Sequence, residues 1–62
     1  MSDFWKALDA ARTLARQEKA DACVVYLGGT YHAKLLSKAN PTDVVIEVAD
    51  DNGRTNMFVR KA

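Results

Sequence analysis

The 62 residues carry nine basic and eight acidic side chains, a net charge of +1, which describes one small domain, residues 1–62, with no general field to attract nucleic acid or anionic lipid. Cys23 is the only cysteine and His32 the only histidine, which excludes a disulfide framework within the chain and a closed Cys/His zinc site, so neither cofactor nor metal is expected. A domain this small buries only about 60% of its unfolded surface, so self-association is the expected remedy. No apolar run approaches membrane-spanning length and Phe4-Trp5 is followed at once by Lys6, so the expected setting is the cytoplasm.

Residues 2–17, rich in Ala, Leu, Arg and Lys and opened by the N-cap candidates Ser2 and Asp3, predict a helix. At 100° per residue Phe4, Leu8, Ala11 and Ala15 share one stripe, widened by Ala7 and Leu14, which is the expected core face. Glu18 would point into that stripe, so the helix should stop near Gln17. Trp5 lies about 60° beyond the edge of the stripe, beside Asp9, Arg12 and Arg16.

Ala22 to Leu27 is a β-rich run followed by Gly28-Gly29. Read as a hairpin, the two glycines pair Leu27 with Thr30 and Tyr26 with Tyr31, and put Ala22, Val24, Tyr26, Tyr31, Ala33 and Leu35 on one face. The alternative makes Thr30 a cap and residues 31–39 a helix ending before Pro41, an αβαββ arrangement. We take the strand reading, because Gly-Gly suits a tight turn and the helix would be short for a crossover.

Asn40-Pro41-Thr42-Asp43 reads as a turn. A last hairpin follows, from about Asp43 to Arg60, with Asn52-Gly53 as a two-residue turn. That turn pairs Val48 with Met57 and Ile46 with Val59, and collects the large apolar residues other than Val45 and Phe58 on one face. The expected architecture is a two-layer α+β domain, the N-terminal helix packed on a four-stranded antiparallel meander whose other face is open.

Motifs for chemistry do not hold together. Aligning Gly53 with the obligatory glycine of a calcium loop puts Val48 at a position that needs an oxygen ligand. Gly28-Gly29-Thr30 lacks the other residues of a phosphate-binding loop. Cys23 and His32 lie two cross-strand steps apart in the hairpin register, with no third group to orient the histidine.

Two contact surfaces remain. Trp5, Arg12 and Arg16 form a strip on the helix, and tryptophan and arginine are the residues most enriched at binding hot spots. The outer sheet face carries Cys23, Val25, Leu27, Thr30, His32 and Lys34 from one hairpin, and Val45, Glu47, Arg54, Asn56, Phe58 and Arg60 from the other. There Phe58 lies among cations, the composition of single-stranded nucleic-acid platforms, diluted by Glu47. In layout, Val24-Val25-Tyr26-Leu27-Gly28-Gly29 resembles the first strand and turn of the Sm-like RNA-binding proteins, but Ala33 stands where that pattern has glycine, so no residue roles carry over. The expected function is a non-enzymatic protein-interaction module, homodimeric and docking on or inhibiting a larger protein. The alternative is a weak binder of single-stranded RNA through the outer face.

Overall fold

The computed structural model describes residues 3–61, with side chains for residues 3–55. Helix α1 (Asp3–Glu18) packs on a three-stranded antiparallel sheet of β1 (Ala22–Leu27), β2 (Thr30–Leu35) and β3 (Val44–Ala49). Ala7, Leu8, Ala11 and Ala15 of α1 are buried and Phe4 and Leu14 half-buried, the stripe that the helical period predicts. Three of the four buried residues of α1, Ala7, Ala11 and Ala15, are alanines, which lets the helix axis approach the sheet closely. The helix runs one residue past Gln17, with Glu18 exposed. It stops because Lys19 turns into the left-handed region, φ 52°, and the Ala20 N–H donates to the Ala15 carbonyl at 3.2 Å, the long bond of a Schellman ending.

The β1–β2 hairpin has the predicted register: Leu27 faces Thr30, Tyr26 faces Tyr31 and Ala22 faces Leu35. Gly28 and Gly29 both take positive φ, as a tight two-residue turn requires. Residues 31–39 are therefore not the helix of the alternative reading; strand β2 runs to Leu35, and only Leu36–Lys38 form a short 3-10 turn.

The meander is corrected. The strand order is β2-β1-β3, with β1 in the middle and β3 antiparallel to it on the side away from β2. In a meander β1 would lie at an edge, yet Ala22, Cys23, Val24 and Val25 are all buried, so both faces of this strand need cover. The cover comes from opposite sides. Ala22 and Val24 meet α1, together with Ala49. Cys23 and Val25 meet Val45 and Val48 in a second cluster, on which Leu36 and Ala39 pack. The chain between β2 and β3 thus crosses the outer face above β1, and that face is not open there.

Two irregularities overturn the predicted alternation in β3. Val24 pairs with Glu47 while Val25 pairs with Val45, so Ile46 is the extra residue of a bulge. Beyond the bulge the phase changes: Val48 pairs with Cys23 and joins the outer cluster, whereas Glu47, expected outside, stands opposite Val24 and is buried. The Asn52-Gly53 turn is also one residue longer than expected. The Gly53 N–H donates to the Asp50 carbonyl at 3.1 Å, the Asp50 N–H donates to the Arg54 carbonyl at 2.9 Å, and Gly53 has φ 86°. That is a three-residue loop closed by a left-handed glycine. The Asp50 carboxylate accepts the N–H groups of Asn52 and Arg54, which competes with the tighter two-residue turn. Thr55 consequently faces Ala49, one residue off the predicted pairing.

Candidate protein-docking surfaces

At the N-terminal end of α1 four aromatic rings meet in a row. Phe4 makes edge-on contacts with Trp5 and Tyr31, at ring-centre distances of 5.2 and 5.4 Å, and Tyr31 lies 5.1 Å from Tyr26. Such pairs contribute about 0.5–1.5 kcal/mol each beyond burial. Phe4 and Tyr31 are half-buried, but Trp5 remains 59% exposed and Tyr26 43% exposed. The helix period placed Trp5 outside the core, and the Gly-Gly turn placed Tyr26 beside Tyr31. Their meeting depends on which way α1 runs across the sheet, which no single segment states.

Arg12 and Arg16 are exposed, as predicted, with Asp9 on the same side of the helix. Arg16 reaches the Asp50–Arg54 turn: its Nη2 lies 3.0 Å from where a Cβ on Gly53 would stand. The strip therefore runs the length of α1, from the aromatic row to that turn.

The outer face differs from expectation. Val25 is wholly buried in the second cluster and is not a contact residue. Lys34 is engaged: its Nζ donates to Asp43 Oδ2 at 2.8 Å, and Asp43, itself buried, also accepts the Asn40 N–H at 2.8 Å. The Asp43 N–H closes the predicted turn on the Asn40 carbonyl at 2.9 Å. The Lys34 hydrogen bond, followed by the Asn40 N–H, holds the Asp43 carboxyl below the usual carboxylate range. Leu27 is 55% exposed and His32 is exposed. The Thr30 hydroxyl donates to the Leu27 carbonyl at 3.1 Å, so at the 2.7 Å contact with Thr30 Oγ1 the donor is His32 Nε2. The side chains of Phe58 and Arg60 lie outside the described residues.

Burial pushes the Cys23 thiol up, against a smaller lowering by Lys34, so the nucleophilic thiolate is scarce at neutral pH. A depression of about 300 Å³ lies beside Ala20, Asp21, Leu36 and Ser37, and among these described residues Asp21 is the one ionisable group. Among the described residues no group of three or more His, Cys, Asp or Glu side chains is placed to hold a metal ion. No described helix is long and apolar enough to cross a membrane.

The result is a small two-layer α+β domain with an exposed aromatic and cationic helix face. No protein-family model matches this chain, and neither does any curated protein or solved structure.

Proposed function

We propose that this protein is a non-enzymatic protein-interaction module of the cytoplasm, which self-associates through the exposed side of α1 and acts by docking on a larger protein. The observation that carries this is Trp5, 59% exposed yet braced edge-on by Phe4. A large apolar ring whose orientation is already constrained loses little freedom on binding, which is what makes tryptophan an effective anchor. Leu27 and His32 at the hairpin tip supply a further exposed rim. We also propose that β4 (Thr55–Lys61) completes a four-stranded sheet along β3. In support, Thr55, Asn56 and Met57 fall opposite Ala49, Val48 and Glu47.

The RNA-platform alternative has less support: its Lys34 is tied to Asp43 and its Val25 is interior. The test is sedimentation velocity of the wild type and Trp5→Ala across a concentration series, with circular dichroism as the control for folding. Losing the edge-on pair with Phe4 should cost about 0.5–1.5 kcal/mol of stability, which the dichroism control reads separately, and the truncation should weaken association by roughly tenfold or more, as hot-spot residues do. Equal association of the two proteins would rule out Trp5 as the anchor.

A further inference from the structure

Trp5, Asp9, Arg12 and Arg16 are separated by four, three and four residues, the spacing of seam positions between two packed helices. All four are exposed. At 100° per residue they fall in a band about 60° wide, clear of the buried stripe. Among the described residues no ion pair involves Asp9, Arg12 or Arg16. A band with one acid, two bases and a tryptophan, none of the charges held in an ion pair among the described residues, is half of a complementary pattern.

We propose that the other half is a second copy of this chain, its α1 lying antiparallel on this band about a two-fold axis at the level of Ala10 and Ala11. This rests on the self-association through Trp5 proposed above. The antiparallel register sets Asp9 opposite Arg12 of the second copy and Trp5 opposite Arg16 of the second copy, and the symmetry makes each contact twice. A parallel arrangement would instead set Arg12 on Arg12 and Asp9 on Asp9, which repel. Arg16 is prepared for its part: resting on Gly53, where a side chain would crowd it at 3.0 Å, its guanidinium is backed by the turn while the residue stays exposed. A planar cation so placed is a surface for an indole to cover. The seam spans about 16 Å of helix at 1.5 Å per residue, so the dimer belongs to the small, reversible class.

Charge reversal with rescue tests the register. Asp9→Arg and Arg12→Asp alone should each weaken the dimer by about tenfold, since two pairs are lost and like charges meet. The double variant D9R/R12D rebuilds both pairs with the signs exchanged and should return to within about threefold of the wild type. Sedimentation equilibrium reads the association, and circular dichroism confirms the helix in each variant. Rescue supports the seam. A wild-type monomer at every concentration overturns it. A dimer that Trp5→Ala dissociates but neither reversal touches also overturns it, while leaving Trp5 in place as the anchor of self-association.

Discussion

Lys19 holds a conformation, φ 52°, that L side chains occupy at a cost of about 1–2 kcal/mol. Its role is to end α1 so that Ala20 can bond back to Ala15 and the chain can enter β1. Glycine is the residue this position favours, although it also loosens the unfolded chain. Lys19→Gly should therefore stabilise by about 0.5–1 kcal/mol. In a domain of this size that raises the Tm by roughly 2–8 °C in a thermal circular dichroism scan. Sequence gave only an indirect sign of this ending, through Glu18 reaching the apolar stripe, because a lysine carries no mark of the left-handed conformation. Trp5 is the opposite case. Its place outside the core follows from helical periodicity alone, since that depends on nothing beyond its own helix.

Strand β1 is legible as a strand, but the meander pattern puts it at an edge, whereas the apolar run from Ala22 to Val25, buried throughout, belongs to a central strand. An unbroken apolar run needs cover on both faces, and only a central strand has both. The prediction at this scale contrasts neighbours on the same face of β1. Val25→Ala empties part of the second cluster and should cost roughly 2 kcal/mol, whereas Leu27→Ala, at an exposed position, should change stability by no more than about 0.5 kcal/mol. Urea unfolding with an unchanged m-value would confirm both. Equal effects would mean that the outer face over Val25 is as open as the hairpin tip. The strand assignment of β2 followed from Gly28-Gly29. The bulge at Ile46 and the third residue of the Asp50–Arg54 loop did not follow from local pattern. The first answers to both faces of β1, and the second to the Asp50 carboxylate.

For the molecule as a whole, the tie between Lys34 and Asp43 joins β2 to the far end of the segment that crosses the outer face. Because the native state holds the Asp43 carboxyl below its ordinary range, chiefly through Lys34, the stability it lends is complete above the unfolded value of about 3.9. It is lost as the pH falls through the lower native value. The wild-type Tm should accordingly drop more steeply below about pH 4 than that of Asp43→Asn, which has no carboxyl to protonate. Parallel acid limbs would show that the tie contributes nothing. No stretch of sequence pointed to this pair, because its members come from a strand and a turn that only the crossing brings together.

The crossing also sets where the chain can change length. Surface connections ordinarily absorb insertions and deletions, and Gly28-Gly29, where a side chain would meet nothing within 4 Å beyond its own chain neighbours, has room for such growth. The segment from Leu36 to Asp43 is a connection of another kind, since Leu36 and Ala39, half-buried, pack on the second cluster and Asp43 is buried at its end. Descendants of this sequence are thus free to lengthen at the hairpin tip, while between β2 and β3 every added or lost residue would shift an anchor off the cluster it covers.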